Sequence, residues 1–355
     1  MKVAILGAGN TGQIMAFDLT QKGAEVRLYT RDAAKAAYIS AHGLTAEGCL
    51  KGHVSLSLVT SHIQAAIQGA EAIFVMTTAA GHRPMAEAMK PFLEEGQNII
   101  VLNANWGALE VYQVLTAPPA APLVSIGETG TQLYIGSIAE PGRVFCKQIK
   151  QQVSLATVVP GQCSTVISRL QKFFPQYREA ANVLETSLSS ANAAIHVPVC
   201  LFNLSRIELG QDFLFYTEGA SRSTVAYIEN MDKERMAIMA ALGLETCTML
   251  DIINSFWPDK KKSLYDAILE NTSYQAVKGP KSLEHRFFSE DIPFGIVPQA
   301  HLGKLLDVPT PYMDAMLATF ERVMGPGIMA NGFCPTLEEL HRVCSCQETA
   351  PGATQ

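Results

Sequence analysis

Two polar side chains interrupt an otherwise apolar stretch near the middle of the chain, 187-SLSSANAAIHVPVCLFNLS-205. Asn192 and His196 are four positions apart, so on a helix they share one face. Histidine titrates near neutral pH and suits a general acid or base, whereas a core histidine needs only a carbonyl partner for its ring N–H. This stretch alone leaves both interpretations open. Pro198, two positions after the histidine, predicts that the helix bends or ends there.

A second candidate site lies near the N-terminus, in the stretch 3-VAILGAGNTG-12. Gly7, Gly9 and Gly12 have the spacing Gly-x-Gly-x-x-Gly between a predicted strand and a predicted helix, the context in which this pattern indicates dinucleotide binding. Gly7 permits a tight turn, Gly9 lets the backbone approach a pyrophosphate, and Gly12 lets the helix pack closely on the strand. The free amides of the first helical turn, which includes Asn10 and Thr11, would then bind the phosphates. The alternative is a glycine-rich turn without a ligand.

The end of the second predicted strand, 28-LYTRD-32, bears on the choice of cofactor. NAD-specific sites usually have an acidic residue here, which accepts a hydrogen bond from the ribose 2′-hydroxyl. Thr30 and Arg31 occupy this place instead, and an arginine can pair with the 2′-phosphate of NADP. The sequence therefore favours NADP, while Asp32 keeps NAD possible.

Strand and helix patterns alternate through the first half of the chain, which predicts a Rossmann-type α/β domain with a parallel sheet over residues 1–180. The loops after the fourth, fifth and sixth predicted strands should line the nicotinamide end of the site, because ligands bind beyond the carboxyl ends of such strands. Thr77 begins the first of these loops. Residues 133–159 contain short β runs that predict antiparallel hairpins appended to the parallel sheet. The predicted strands are residues 3–6, 25–30, 56–60, 72–77, 98–103 and 123–126.

The second half predicts an all-α domain over residues 181–346, with a helix break at Pro198. One stretch, 279-GPKSLEHRFFSEDIPFGIVP-298, has three prolines and a dense charged centre, and it predicts a non-helical loop that covers a site or decorates the surface. The polar tail, residues 347–355, is predicted to be disordered. The predicted helices of this half are residues 184–195, 199–209, 219–242, 246–255, 263–270, 298–306 and 311–324.

Composition excludes several classes of function. The net charge is −6 without a long basic block, which argues against nucleic acid as a partner. No apolar run is long enough to span a bilayer or to form a signal-peptide core. The eight cysteines form no Cys-x-x-Cys pair and the eight histidines are dispersed, which predicts reduced thiols in the cytoplasm and no metal site. The oligomeric state stays open, and a homodimer is possible.

The motifs of the second half together resemble the opine dehydrogenases of the octopine/nopaline type. Asn192, His196 and Pro198 stand at the family's spacing upstream of them, and the segment 215–244 is similar to the family's central helices. The resemblance covers nearly the whole chain. Its most specific elements are Gly279-Pro280, Ser282-Leu283, Arg286, Glu290-Asp291-Ile292-Pro293, Gly295-Ile296-Val297-Pro298 and Val308-Pro309-Thr310-Pro311.

The resemblance implies an oxidoreductase that joins the amine of an amino acid to a 2-oxo acid with NADH or NADPH. It implies that His196 is the catalytic histidine, that Asp291 is its carboxylate partner and that Arg286 is a charged residue of the substrate domain. The chemistry needs the same groups, since an imine that accepts hydride requires an acid–base group and substrate carboxylates suit an arginine. Asn192 could bind a substrate carbonyl or orient the nicotinamide amide.

Two other functions stay open from the sequence. A reductase similar to ketopantoate reductase would reduce a 2-oxo or 3-oxo acid without an amine, but such enzymes typically rely on a lysine in the helical domain, and the matching helix here contains His196 and no lysine. A nucleotide-bound sensor would bind the cofactor without turnover, since a fold does not determine a function. The sequence does not identify the amino acid, the 2-oxo acid or the physiological direction.

Overall fold

The computed structural model describes residues 1–330 and 332–344. The chain divides into two compact units, Met1–Thr186 and Ser187–Gln355. The predicted disordered tail, residues 347–355, lies outside the described residues. In the described part, no helix is both long and apolar enough to cross a membrane. The first unit is a sheet with flanking helices and the second is helical, so the predicted order of an α/β domain and an all-α domain is confirmed.

The described residues contain twelve strands, and all of them lie in the first unit. In chain order they are β1 (Lys2–Leu6), β2 (Glu25–Tyr29), β3 (Leu44–Gly48), β4 (Gly52–Val54), β5 (Leu58–Thr60), β6 (Ala72–Val75), β7 (Asn98–Val101), β8 (Ser125–Thr129), β9 (Tyr134–Glu140), β10 (Arg143–Ile149), β11 (Val153–Thr157) and β12 (Tyr177–Glu179).

Sixteen α-helices occur in the described residues. They are α1 (Asn10–Gln21), α2 (Ala33–His42), α3 (Ile63–Ile67), α4 (His82–Met89), α5 (Gly107–Thr116), α6 (Cys163–Leu170), α7 (Val183–Leu188), α8 (Ala191–Leu201), α9 (Leu204–Glu208), α10 (Arg222–Ala241), α11 (Met249–Phe256), α12 (Leu264–Leu269), α13 (Arg286–Ser289), α14 (Val297–Leu305), α15 (Pro311–Met324) and α16 (Leu337–Cys344).

The main sheet has eight strands in the order β12-β11-β8-β7-β6-β1-β2-β5. Its central strands are parallel, and every residue of β6 and β7 is buried, as expected for a sheet covered on both faces. The strand β1 has β2 on one side and β6 on the other, so the chain reverses its direction of progress across the sheet at β1. A ligand crevice is expected beyond the carboxyl ends of the strands at such a switch point.

The prediction for the appended hairpins was wrong in part. The hairpin β9–β10 does not extend the main sheet, because β10 pairs in parallel with β3 and completes a separate sheet of order β4-β3-β10-β9. The strands β3 and β4 and the helix α2 were not predicted at all, because their short mixed runs carry little periodicity. Only β11 joins the main sheet as expected, antiparallel to β8.

The long helix α10 organises the second unit through three buried charged residues. Arg235 is almost fully buried and its Nε donates to Oδ1 of Asp232 at 2.7 Å, while Oδ2 of that aspartate accepts from the N–H of Met249 at the start of α11. Glu234 accepts the first free amides of α15, from Tyr312 at 2.6 Å and from Met313 at 3.0 Å. A carboxylate at a helix N-terminus satisfies unpaired donors and complements the helix dipole. These contacts attach two further helices to α10.

Two predictions about helix boundaries in this unit were wrong. The helix α8 continues through Pro198 to Leu201, although proline removes the N–H that would donate to the Ala194 carbonyl. The stretch 279–298 is not a plain loop, because it contains α13, a π-helix at Ile292–Ile296 and the first turn of α14. Proline is tolerated in the first turn of a helix, where its missing N–H has no partner to lose, and this position accounts for Pro293 and Pro298.

Candidate active site

The first unit has a crevice of about 610 Å³ at the carboxyl ends of β1, β2 and β6. Of the residues predicted to bind the cofactor, Gly7, Gly9, Thr30, Arg31 and Thr77 line it. Three others form the first turn of α1 behind the crevice and are not part of its lining, namely Asn10, Thr11 and Gly12.

The three glycines of the motif differ in what surrounds them. Gly7 has a φ of +134°, and a Cβ there would lie 2.7 Å from the Met76 carbonyl oxygen. A Cβ on Gly12 would collide with the carbonyl oxygen of Gly7, so this glycine allows α1 to pack against the turn. A Cβ on Gly9 would meet no atom within 4 Å. Gly9 is therefore open on the side of the crevice, where a ligand's phosphate can approach the backbone.

The side chains after β2 give one end of the crevice a positive character. Arg31 is exposed and forms no ion pair with the described residues, while Lys35 lines the crevice from the first turn of α2. Asp32 lies between them, and its Oδ1 caps α2 by accepting from the N–H of Lys35 at 2.9 Å. The cap engages one oxygen of this carboxylate, and Asp32 also lines the crevice. Lys35 was missed because the helix that carries it was not predicted.

Thr77 bears the only predicted cofactor-binding hydroxyl that the folded chain buries without a partner. Its Oγ1 is shielded from solvent and forms no hydrogen bond with the described residues, although Thr77 lines the crevice. Buried hydroxyls without a partner are uncommon in folded proteins. A ligand in the crevice would supply the missing hydrogen bond.

The other two loops expected at the nicotinamide end, residues 103–107 and 128–131, are not part of the crevice lining. Four consecutive residues after β7, at positions 103–106, have φ between +42° and +78°, which is a left-handed conformation that non-glycine residues rarely adopt. Glu128, at the end of β8, accepts from the N–H of Ala108 at 3.0 Å and so ties this turn to the sheet. Lys150 donates to the hydroxyl of Thr131 at 2.6 Å, and burial lowers the pKa of this lysine to about 7.

In the second unit, His196 forms hydrogen bonds through both ring nitrogens. Its Nδ1 lies 2.7 Å from Oδ2 of Asp291, although 95 positions separate the two residues in the sequence, and its Nε2 lies 2.9 Å from the hydroxyl of Tyr216. All three side chains are buried, and Oδ1 of Asp291 has no partner among the described residues. Because an ionised carboxylate can only accept, it holds the hydrogen of the imidazole on Nδ1.

Aromatic rings hold the imidazole in this orientation. Phe287 stacks on it with ring centroids 4.0 Å apart and Phe215 contacts it edge-on at 5.7 Å. His285 contacts Phe287 edge-on with ring centroids 4.5 Å apart, and the pKa of His285 is lowered by burial, by the neighbouring Arg286 and by His196. The histidine is therefore fixed by one carboxylate, one phenol and two rings.

The structure brings Arg286 and Asn192 only near this cluster. Asn192 is half-buried one turn before His196 on α8. Arg286 is exposed, with its Nε 3.2 Å from Oε2 of Glu290, and its positive charge opposes the rise in the pKa of Tyr216 that burial causes. The contact that sequence reasoning missed is Tyr216, whose position in 215-FYTEGAS-221 gave no spacing signal.

Comparison with known proteins identifies the family. An opine dehydrogenase of Arthrobacter sp. (strain 1C) is 33% identical over 341 residues, which cover 95% of this chain and 94% of that protein. The chain belongs to the opine dehydrogenase family. Members of this family are oxidoreductases, and the resemblance stated from the sequence is confirmed.

The family models divide along the chain as the fold does. The alpha-helical domain of NAD/NADP octopine/nopaline dehydrogenase matches residues 179–324, and the ketopantoate reductase PanE/ApbA model matches residues 3–129. The fold of this opine dehydrogenase family member is also that of octopine dehydrogenase solved with NADH and L-arginine, with a TM-score of 0.78, 20% identity, and coverage of 100% of this chain and 99% of that chain. Yersinopine dehydrogenase solved with NADP⁺ gives a TM-score of 0.71 at 16% identity and 98% coverage of both chains. In the described residues no cluster of His, Cys, Asp or Glu could hold a metal ion.

We expect His82 to make the first unit sensitive to acid. This histidine is fully buried against Gly107, its Nδ1 has no partner among the described residues, and burial lowers its pKa from 6.5 to about 4. A lowered folded-state pKa contributes stability above the unfolded pKa, and that stability is lost as pH falls toward the folded pKa. Between pH 7 and pH 5 the free energy of unfolding should fall by about 2 kcal/mol from this group.

The measurement is urea unfolding at pH 7 and pH 5. His82→Leu should remove most of this pH dependence, whatever it does to absolute stability, while His62→Leu, which changes an exposed histidine of the same unit, should leave it intact. An equal loss of stability on acidification in all three proteins would contradict the assignment.

Proposed function

We propose that this protein is an NADP(H)-preferring opine dehydrogenase that also accepts NAD(H), and that it acts on the CH–NH group of its product. It condenses the amine of an amino acid with a 2-oxo acid and reduces the imine to an N-(carboxyalkyl) amino acid. The observation that carries the proposal is the buried hydrogen bond of 2.7 Å between His196 and Asp291, in a chain of the opine dehydrogenase family. A His–carboxylate pair of this kind fixes the tautomer and stabilises the imidazolium.

The crevice of the first unit suits a dinucleotide. Gly9 leaves room for a pyrophosphate at the N-terminus of α1, with Asn10, Thr11 and Gly12 supplying the helical turn, and the hydroxyl of Thr77 lacks a partner. Arg31, beside Thr30, and Lys35 present positive charge where a 2′-phosphate would lie. When bound, the cofactor supplies the hydride. The chain's own residues seat it and select its phosphate.

The residues of the second unit handle the substrates and the protons. His196 acts as the general acid and base when water leaves the adduct of amine and 2-oxo acid, and Asp291 keeps Nδ1 protonated. Arg286 can bind a substrate carboxylate through the guanidinium nitrogens that do not face Glu290. Asn192, on the same helix face as His196, would contact a substrate carbonyl or orient the nicotinamide amide.

A grid of amino acids against 2-oxo acids, followed by the absorbance of NADPH, tests the function. Oxidation that requires both substrates is the expected result. Oxidation with an oxo acid alone would instead support a reductase similar to ketopantoate reductase, a possibility that the family match over residues 3–129 favours for the first unit alone. Tight cofactor binding without turnover on any pair would indicate a nucleotide-bound sensor.

Gly9→Val should abolish cofactor binding without unfolding the protein. The new side chain meets no protein atom within 4 Å of its Cβ, so any loss reports on the ligand rather than on the fold. Gly12→Ala is the informative contrast, because its Cβ would collide with Gly7 and should lower the thermal stability. Binding is measured by NADPH fluorescence and stability by circular dichroism. A Gly9→Val protein with normal affinity would show that the motif is only a turn.

Arg31→Ala should weaken the preference for NADPH over NADH by about 1–2 kcal/mol in kcat/KM, the value of a charge-assisted hydrogen bond. Lys35→Ala should act in the same direction. Arg169→Ala removes the same charge from an exposed place of the same unit outside the crevice lining and serves as the control. A wild-type protein that uses both cofactors equally would end this part of the proposal.

His196→Gln should fold and bind NADPH but lose about 10²–10⁴-fold in kcat, the range for a positioned acid–base group. Asp291→Asn should also slow the reaction, and the double variant should lose far less than the product of the two effects because the pair acts as a unit. His301→Gln, the same change at a half-buried histidine of the second unit, is the control. Near-normal turnover by a folded His196→Gln protein would make this histidine a core residue.

A further inference from the structure

The hydroxyl of Tyr216 occupies the nitrogen of His196 that the proposed chemistry needs. Nδ1 is engaged by Asp291 at 2.7 Å, so only Nε2 can exchange a proton with a substrate, and Tyr216 lies 2.9 Å from it. A direct transfer between Nε2 and a substrate would first have to displace the phenol. A transfer through the phenol would leave the hydrogen bond between Tyr216 and His196 in place.

The direction of the Tyr216 hydrogen bond depends on the protonation of the imidazole. With Nδ1 protonated toward Asp291, the neutral ring can only accept at Nε2, so the phenol donates to it. In the imidazolium, Nε2–H donates to the phenolic oxygen, and the hydroxyl hydrogen is free to turn toward another acceptor. The two states of the histidine therefore differ in whether the phenol can donate outward.

The surroundings of Tyr216 hold it in place as a neutral phenol. Its ring stacks on Tyr274 with centroids 4.2 Å apart and an interplanar angle of 18°, and Phe215 packs against it edge-on at 5.0 Å. Burial, Tyr274 and the Asp291 charge raise the pKa of Tyr216 well above its ordinary value, while the positive charge of Arg286 opposes this rise. The phenol thus remains protonated at neutral pH and lies within the field of the cation proposed to bind a substrate carboxylate.

We propose that Tyr216 is a further catalytic residue, which relays the proton between Nε2 of His196 and the substrate; this inference rests on the proposed function. When the adduct of amine and 2-oxo acid loses water, the hydroxyl of Tyr216 gives its proton to the departing oxygen. The C–O bond breaks with its electron pair going to that oxygen, and the nitrogen lone pair forms the C=N bond. In the same step Nε2 gives its proton to the phenolic oxygen, so Tyr216 is regenerated and His196 becomes neutral.

Tyr216→Phe tests the relay because it removes only the oxygen and retains the ring that packs on Tyr274 and Phe215. Tyr227→Phe removes a hydroxyl elsewhere in the second unit, where it donates to the carbonyl of Tyr312, and serves as the matched control. Each protein is assayed for NADPH affinity, for kcat and for the dependence of kcat on the deuterium fraction of the solvent.

With a relay, the Tyr216→Phe protein should bind NADPH as the wild type does and lose about 10²-fold in kcat, the lower end of the range for acid–base catalysis. The wild-type dependence on deuterium fraction should be curved, because two protons move together, and the variant dependence should be linear. A kcat within threefold of the wild type overturns the relay. A low kcat with unchanged curvature also overturns it, because Tyr216 would then only position the histidine.

His196→Gln in the same assay separates this inference from the proposed function. Loss of turnover in both variants, with a linear dependence for Tyr216→Phe, supports both. An inactive His196→Gln protein beside an active Tyr216→Phe protein overturns the relay and leaves the proposed function standing. Full turnover by His196→Gln overturns the catalytic role proposed for this histidine and the relay together, while the substrate grid decides separately whether the protein is an opine dehydrogenase.

Discussion

The hydrogen bond between Asp291 and His196 is the constraint on which the chemistry proposed for the second unit depends. Both groups are buried, and removing a carboxylate from water is costly unless a partner compensates it. The histidine provides that compensation, and the aspartate in turn decides which of its nitrogens carries hydrogen. The π-helix that follows Asp291 and the proline-containing helix that carries His196 are the elements that bring these two side chains together. Each residue makes the other's burial acceptable.

The cofactor site proposed for the first unit has a different requirement, which is to expose backbone donors to an anion without leaving them unpaired in the core. The chain adds strands on opposite sides of β1, so the turn after β1 opens onto solvent and is not covered by the connection to a neighbouring strand. Gly7 and Gly12 are required by the chain's own packing, and only Gly9 is free of it. The motif thus combines two glycines that the packing of the chain requires with one that is open on the side of the crevice.

Much of this arrangement is predictable from the sequence, for identifiable reasons. The buried parallel strands are predictable because they are apolar runs. The glycine spacing indicates dinucleotide binding once a strand and a helix flank it. The pairing of β3 with β10 was not predictable, because the paired residues of these parallel strands are 98 positions apart and carry no local signal. Pro198 and the prolines near Asp291 led to wrong predictions of a helix break and of a loop. Proline favours a break, but tertiary packing decides whether the helix continues. Tyr216 could not be predicted from the sequence, because only the fold shows that its hydroxyl lies beside Nε2 of His196.

The left-handed turn at positions 103–106 also constrains which mutations this domain can accept during evolution. Asparagine tolerates that conformation better than alanine or tryptophan, and each misfit costs on the order of 1 kcal/mol. Such a segment keeps its shape only while the sheet beneath it is stable enough to impose it. Mutations that weaken the packing of β7 and β8 should therefore release the left-handed conformation of the turn before they unfold the domain. The strained turn therefore limits which substitutions the core of β7 and β8 can accept during evolution.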